Sequence, residues 1–259
     1  MDGRSMYHVT IRFYEELNDF LPPVKRKRDI DFEFLGRRSV KDLIESFCVP
    51  HVEVDLILAN GKSVDFSYIV NDGDRISVYP VFETLDIGTV TRLRPAPLRD
   101  PRFVLDVHLQ KLARRLRLLG FDVDFHPNRD DAELADIAER EDRILLSRDR
   151  QLMMRKKVMR GLYVRNTDPE KQANEVLDRL DLRELCRPFT RCIECNGAIE
   201  SLDISVAGFG DLARQIPPGV RSWCREYYHC RGCGRIYWKG SHYDKLKIRV
   251  EKILSEKKI

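Results

Sequence analysis

Two closely spaced cysteine pairs constrain the fold of this 259-residue chain more than any other sequence feature. Cys192 and Cys195 form one C-x₂-C pair, Cys230 and Cys233 form the other, and 34 residues separate them. Four thiolates at this spacing form a closed tetrahedral zinc site, which is structural because it has no open position for water. The segment is therefore predicted to be a zinc ribbon that holds structural Zn²⁺.

Neighbouring residues refine this prediction and leave one alternative open. A glycine lies soon after each pair, at Gly197 and Gly234, and each is expected to supply the tight turn of a zinc knuckle. Cys224, His229 and His242 are alternative ligands for one position, although they break the paired spacing.

The cysteine content also indicates the compartment. The chain has seven cysteines, an odd number with most of them clustered. This pattern favours metal binding over disulfides, and it therefore indicates a reducing compartment. Cys48 and Cys186 are interpreted as buried thiols. The N-terminal sequence lacks the apolar core of a signal peptide, and no apolar run approaches the ~20 residues of a membrane span. We therefore expect a cytoplasmic chain with no membrane partner.

Residues 1–90 are predicted to form a small β-grasp domain. Polar and apolar residues alternate over Tyr7–Phe13 and Ile30–Phe34, which is typical of half-buried strands. A helix is expected to begin at Ser39, where Asp42 three residues later resembles a capping box. Two more strands, in VEVDLILANG and DRISVYPVF, complete the order strand, strand, helix, strand, strand.

From residue 102 onward, short apolar strands alternate with helical segments. This alternation predicts an α/β domain with a parallel sheet covered by helices. Helices are expected in HLQKLARRLRLLG, RDDAELADIAERE and RDRQLMMRKK, and another after Asp168. The predicted parts of the chain are the β-grasp domain (1–90), a proline-rich linker (91–101), the α/β domain (102–187), and the ribbon with a helical tail (188–259).

Acidic residues stand at the ends of three predicted strands or at the starts of the following helices: Asp106, Asp130, Asp131 and Asp149. The carboxyl ends of parallel strands meet at one edge of a sheet, so we expect these side chains to converge there. Carboxylates brought together repel one another unless a cation neutralises them, and oxygen ligands select Mg²⁺ or Mn²⁺. The alternative is that Asp130 or Asp149 is only a helix N-cap.

Basic residues flank these acids and suit an anionic partner. The candidates for phosphate contacts are Lys111, Arg114, Arg115 and Arg148, with Arg117 and Arg150 close by in the sequence. Residues 191–259 carry 13 basic and 8 acidic side chains, a formal charge of +5. An RNA backbone fits this pattern, whereas the plain alternative is a solvated helix face with ion pairs.

Aromatic and cationic residues are interleaved after the last cysteine. Tyr237, Trp238 and Tyr243 alternate with a second group of positively charged residues, Arg235, Lys239 and Lys245. Such a pattern is typical of single-stranded RNA binding. The alternative is that Tyr237 and Trp238 pack the small core of the ribbon.

The chain resembles the Mut-seven C-terminal family. The resemblance rests on LARRLRLLG, ILLSRD and YWKGSHY in the expected order, and on CIECNGAIE. It implies a PIN-like ribonuclease domain followed by a zinc ribbon, with Asp106, the pair Asp130 and Asp131, and Asp149 as the acidic site. It also implies a carboxylate-bound divalent metal, here assigned to Asp106, Asp131 and Asp149. The chain has SRD where the family more often has TRD.

The N-terminal segment resembles ubiquitin-like sulfur carriers, through LANGKSVDFSYIVNDGDRISVYPVFE. Carriers end in Gly-Gly, whereas this chain continues through ETLDIGTVTRL. We therefore expect the domain to bind a protein partner rather than to carry sulfur.

The sequence thus predicts a metal-dependent ribonuclease that acts endonucleolytically on RNA, with the ribbon assisting RNA binding. The first alternative is a non-catalytic RNA-binding or adaptor protein with an idle PIN-like site. A sulfur-carrier-like module is the second.

Overall fold

The computed structural model describes residues 5–80, 93, 100–203 and 214–256. The chain divides into two compact units, Met1–Asp100 with Asp130–Tyr163 and Pro101–Arg129 with Val164–Ile259. Among the described residues, no helix has the length and apolar character needed to cross a membrane.

The first unit contains a five-stranded sheet and a helix. Its elements are β1 (Met6–Phe13), β2 (Ile30–Leu35), α1 (Val40–Glu45), β3 (Val54–Ala59), β4 (Lys62–Val64) and β5 (Arg75–Pro80). The strand order is β2-β1-β5-β3-β4; the central pair, β1 and β5, is parallel, and every other neighbouring pair is antiparallel. This is the predicted β-grasp arrangement.

Local sequence signals explain the elements of this domain. Ser39 caps α1, since its Oγ accepts the Asp42 N–H at 3.1 Å and donates to the Asp42 carboxylate at 2.8 Å. Asn60 and Gly61 turn β3 into β4 with φ values of 50° and 79°, a hairpin geometry that this dipeptide favours. The helix and the sheet enclose one apolar core, which includes Ile11, Phe13, Leu43, Ile44, Ile57 and Ile76.

A second group of elements belongs to the same unit. It comprises α3 (Asp131–Arg140), β8 (Ile144–Ser147), α4 (Arg150–Met153) and β9 (Gly161–Tyr163). Strands β8 and β9 are parallel. The helix predicted over RDRQLMMRKK is wrong in extent, because only four residues are helical. Hydrogen bonds from the Met154 and Arg155 N–H groups to carbonyls three residues earlier tighten and end it.

The β-grasp domain contacts this second group through buried polar side chains. The Glu53 side chain is fully buried and accepts the Tyr163 N–H of β9 at 2.6 Å. His51 Nε2 donates to the Val158 carbonyl at 2.9 Å, and its Nδ1 lies 2.7 Å from Glu45 Oε1. These contacts satisfy backbone groups of the segment that leads into β9.

The second unit begins with β6 (Arg102–Leu105), α2 (Gln110–Leu118) and β7 (Asp122–Asp124). Strands β6 and β7 are parallel. The predicted apolar face of α2 is confirmed, since Leu109, Leu112, Ala113, Leu116 and Leu119 are all buried. Gly120 ends the helix with φ +97°, where a Cβ atom would lie 2.1 Å from the Arg187 carbonyl oxygen.

Helix α5 (Pro169–Arg179) packs against α2 and against the C-terminal helix, α7 (Ser241–Ser255). The predicted start of α5 is confirmed. Asp168 is the N-cap, its Oδ1 accepts the Glu170 and Lys171 N–H groups, and Pro169 occupies the first helical position.

An antiparallel three-stranded sheet of order β10-β11-β12 completes this unit. Its elements are β10 (Ile199–Leu202), α6 (Pro218–Arg221), β11 (Tyr227–Cys230) and β12 (Ile236–Trp238). A small apolar cluster supports the sheet, formed by Leu202, Ile216, Cys224, Tyr227 and Ile236 with Val220 and Trp238 against it.

The fold class is confirmed: an N-terminal β-grasp sheet, parallel α/β elements and a C-terminal four-cysteine cluster. Most of the predicted linker at 91–101 falls outside the described residues. The predicted domain limits at 90, 101 and 187 stay a prediction.

Candidate metal centre and acidic residues

The four paired cysteines lie together. The Sγ atoms of Cys192, Cys195, Cys230 and Cys233 are all within 4.8 Å of one another. Cys192 and Cys233 Sγ are 3.8 Å apart, and Cys195 and Cys230 Sγ are 3.3 Å apart. Bonds of ~2.3 Å to a tetrahedral zinc ion place sulfurs roughly 3.8 Å apart. The donor set therefore fits Zn²⁺, and the cluster can hold a zinc ion.

Each cysteine pair is held in a tight turn. The Gly197 and Gly232 N–H groups donate to Cys195 and Cys230 Sγ at 3.4 and 3.3 Å. Gly234 adopts the left-handed conformation as expected, with φ 69°. In the first pair, the prediction for Gly197 is wrong, because Asn196 takes that conformation instead, also with φ 69°. Asn is one of the few non-glycine residues that tolerate it.

Gly197 serves a different purpose, which is close packing. A Cβ atom at Gly197 would lie 2.8 Å from Cys230 Sγ. A side chain there would displace one of the four sulfurs.

Hydrogen bonds favour the thiolate form of Cys192. Burial raises the pKa of this thiol, but the Tyr237 hydroxyl, 2.9 Å from Sγ, and the N–H groups of Glu194 and Cys195 outweigh burial and lower the pKa to about 7. Burial and the bond to Cys192 raise the pKa of Tyr237. A thiolate at neutral pH is the form that binds metal.

The alternative ligands do not join the cluster. Cys224 is buried in the apolar cluster beneath the sheet, and its Sγ donates to the Glu226 carbonyl at 3.3 Å. His229 and His242 are also outside the group of four. Cys186 is buried as predicted, and burial raises the pKa of its thiol to about 11.

The prediction of a buried Cys48 is wrong, because its side chain is exposed. The residue follows α1 with φ 59°, and its N–H donates to the Glu45 carbonyl at 2.9 Å. The left-handed turn directs Cys48 outward between two buried neighbours, Phe47 and Val49.

Helix α2 is bound to the first cysteine turn by arginines. Arg117 is buried, and its guanidinium donates to the Val123 carbonyl at 2.9 and 3.1 Å and to the Glu194 carbonyl at 2.6 Å. Arg114 forms an ion pair with the Glu194 carboxylate, which raises the pKa of Arg114 and lowers that of Glu194. Glu194, inside the first pair, was not among the predicted site residues. An acid between two ligand cysteines is the sequence signal for it.

The predicted RNA-contacting residues have unequal access to solvent. Lys111 is exposed, Arg114 is exposed but paired with Glu194, and Arg115 and Arg148 are half-buried. Burial, together with the positive charge of Arg249, lowers the pKa of Arg115. Lys111 is therefore the most accessible cation of the predicted set.

The acidic residues are divided between the units, Asp106 in the second and the others in the first. Asp106 directly follows β6 and is buried at 5% exposure. Asp149 follows β8, is exposed and caps α4, with Oδ1 accepting the Gln151 and Leu152 N–H groups at 2.7 and 3.2 Å.

The two residues of the middle acidic pair, Asp130 and Asp131, make different contacts. Asp130 caps α3 through Oδ1, which accepts the Glu133 N–H at 2.9 Å. Asp131, the first residue of α3, lies with Oδ2 3.8 Å from Arg155 Nη2. The N-cap alternative thus describes Asp130 and Asp149, and their catalytic roles stay a prediction.

The aromatic residues after the last cysteine are engaged within the unit. Tyr237 bonds Cys192, Trp238 packs against the apolar cluster, and the Tyr243 ring lies 4.8 Å from that of Phe189. The packing alternative is supported for Tyr237 and Trp238.

A β-grasp sheet, parallel α/β elements and a four-cysteine centre define a multidomain α/β protein with a zinc-ribbon-like end. Comparison with protein families matches residues 101–250 to the Mut7-C RNAse domain and residues 6–86 to Mut7-C ubiquitin. The first match spans more than half of the chain, which therefore belongs to the Mut7-C RNAse domain family. No curated protein matches it. Membership suggests a nuclease-like function with RNA as the substrate.

Proposed function

We propose that this protein is a metal-dependent ribonuclease that hydrolyses RNA phosphodiester bonds endonucleolytically. The observation that carries the proposal is the match of residues 101–250 to the Mut7-C RNAse domain family. Asp106 and Asp149 each lie at or just after the carboxyl end of a parallel strand, the position that active-site groups of parallel α/β folds commonly occupy, and this supports the proposal.

In this proposal, Asp106, Asp131 and Asp149 hold a Mg²⁺ or Mn²⁺ ion. Carboxylate oxygens are the ligands these ions prefer. Asp149 binds the helix N–H groups through Oδ1 alone, so Oδ2 is the oxygen offered to metal. Asp131 is proposed as the metal donor of the middle pair; Asp130 caps α3 through Oδ1 and, like Asp149, keeps Oδ2 as the alternative donor. When bound, the ion would polarise the phosphodiester and lower the pKa of a water molecule.

The remaining residues bind and orient the substrate. Lys111, Arg114, Arg115 and Arg148 are proposed to contact phosphates, with the ribbon extending the RNA-binding surface. Free thiols that bind zinc require a reducing compartment, so we place the protein in the cytoplasm. The ubiquitin-like domain is proposed to bind a protein partner.

Replacement of Asp149 tests the catalytic site. Asp149→Asn keeps a side-chain acceptor for the α4 N–H groups but removes the negative charge. We expect cleavage of a labelled RNA in Mn²⁺ to be abolished while the melting temperature stays close to that of the parent protein.

Asp168→Asn is the matched control, because Asp168 also caps a helix by accepting two N–H groups through Oδ1. This variant should cleave RNA at the parent rate. Full activity in both Asp106→Asn and Asp149→Asn would refute the carboxylate mechanism.

A non-catalytic RNA-binding or adaptor protein is the second candidate. The ordinary capping roles of Asp130 and Asp149 favour it. On this account the parent protein binds RNA, and neither Mg²⁺ nor Mn²⁺ elicits cleavage. A sulfur-carrier role lacks the Gly-Gly end that such chemistry uses.

A further inference from the structure

Trp223 presents a large aromatic surface to solvent. Its side chain is 56% exposed, whereas most large apolar residues of this unit are buried. The indole lies against the backbone at Gly240, where a Cβ atom would be 3.4 Å from Trp223 Cη2 and 3.2 Å from Trp238 Nε1. The Cη2 edge of the exposed ring therefore lies close to Gly240, which follows β12.

The backbone around Trp223 is anchored on both sides. The Trp223 and Cys224 N–H groups donate to the Val220 carbonyl at 3.3 and 2.9 Å. Cys224 is buried in the apolar cluster, and its carbonyl accepts the Tyr227 hydroxyl at 2.9 Å. An aromatic ring held in place on a rigid turn loses little conformational entropy when it binds a ligand.

Basic residues outnumber acidic residues in the segment that carries this ring. Residues 214–256 contain ten Lys or Arg and four Asp or Glu, a net charge of +6. Arg225, two residues from Trp223, is exposed, and its Nη1 donates to the neutral Arg221 carbonyl at 2.8 Å. That bond does not neutralise the guanidinium. Lys239 adjoins Gly240 and is paired with Glu226 at 2.6 Å.

We propose that Trp223 stacks on a base of single-stranded RNA while the neighbouring Arg225 contacts the RNA backbone. The inference rests on the proposed ribonuclease function and identifies single-stranded RNA as the form of RNA that the ribbon binds. A polyanion with unpaired aromatic bases matches both features of the surface, since an exposed indole accepts any base and the charge attracts phosphates. The ribbon aromatics predicted from the sequence are engaged internally, and among the described residues 214–256 Trp223 is the one exposed Phe, Tyr or Trp side chain.

The test compares three variants in the full, zinc-loaded chain: Trp223→Ala, Trp223→Phe and, as control, Ile248→Ala. Ile248 is 65% exposed in the same unit. Binding of a fluorescein-labelled oligouridylate is measured by anisotropy without Mg²⁺ or Mn²⁺, and cleavage is measured separately with Mn²⁺. A strand of the same length with abasic positions keeps the phosphates and removes the bases.

Trp223→Ala should weaken oligouridylate binding roughly 5- to 150-fold, the range expected for losing one stacked base. Trp223→Phe should restore most of the affinity, and Ile248→Ala should leave it unchanged. On the abasic strand, the parent protein and Trp223→Ala should bind equally.

Other outcomes separate this inference from the proposed function. If Trp223→Ala binds as tightly as a parent protein that cleaves RNA, the stacking role is wrong and the nuclease stands. An equal loss on normal and abasic strands also overturns stacking. A lower oligomeric mass of Trp223→Ala in light scattering would assign the ring to a second copy of the chain instead. If the parent protein neither binds nor cleaves RNA, the proposed function fails as well.

Discussion

Replacing Arg117 by methionine tests whether this cation of α2 is structural or binds RNA. If it is structural, as we expect, the replacement should destabilise the protein. The buried guanidinium donates to three carbonyls: those of Val123 and Glu194 and, at 3.4 Å, that of Ile193. Methionine keeps the apolar stem but leaves these oxygens without their donor. Hydrogen bonds to charged groups contribute about 1.5–3 kcal/mol each, so losing the short bonds to Val123 and Glu194 is expected to cost about 3–6 kcal/mol. Such a loss is a large part of the ~5–15 kcal/mol that typically holds a protein folded.

The assay has two readouts. Thermal unfolding should show a melting temperature lower by roughly 6–24 °C, at about 2–4 °C per kcal/mol for a protein of this size. Zinc affinity, measured by competition with a chromogenic chelator, should fall roughly 10-fold or more, as is usual when a residue supporting metal ligands is removed. Arg117 holds the turn between Cys192 and Cys195 through the Glu194 carbonyl.

Lys111→Met is the control, because Lys111 is exposed on the same helix. It should unfold at the parent temperature, bind zinc normally and weaken RNA binding. The reasoning is refuted if Arg117→Met is as stable as Lys111→Met and loses only RNA affinity, since Arg117 would then be an RNA contact.

Two further substitutions test the zinc centre and the contact between the β-grasp domain and β9. Cys233→Ser should abolish zinc binding, which we expect at about one ion per chain in the parent protein, and should unfold the ribbon; elemental analysis that finds the parent protein zinc-free with an ordered ribbon would contradict this. Glu53→Ala removes the acceptor of the Tyr163 N–H and should lower the free energy of unfolding by about 1–3 kcal/mol in urea titration, whereas Glu33→Ala, an exposed control, should change it little.

The local features of this chain could be predicted from its sequence because they depend on neighbours. The Ser39 and Asp168 caps, the Asn60–Gly61 turn and the apolar face of α2 each arise within a few residues. The zinc ligands were predictable for a related reason. Each C-x₂-C pair forms its own turn, and four thiolates are costly to leave together without a cation.

The tertiary contacts of long polar and aromatic side chains could not be predicted in this way. The sequence placed Arg114, Arg115 and Arg117 together as cations, and only tertiary packing made Arg117 a buried donor to three backbone carbonyls. Cys48 is exposed because a left-handed turn directs it outward. Similarly, tertiary packing brings the Tyr237 hydroxyl into a hydrogen bond with Cys192 and leaves Trp223 exposed to solvent.

The sequence by itself therefore determined most of the strands and helices and the cysteine ligand set, since short-range geometry encodes them. Tertiary structure decided which polar groups are satisfied internally and which remain available to a ligand. The physical reason is that a buried donor or acceptor must find a partner among residues distant in sequence, and the partner of Arg117 at Glu194 lies 77 residues away.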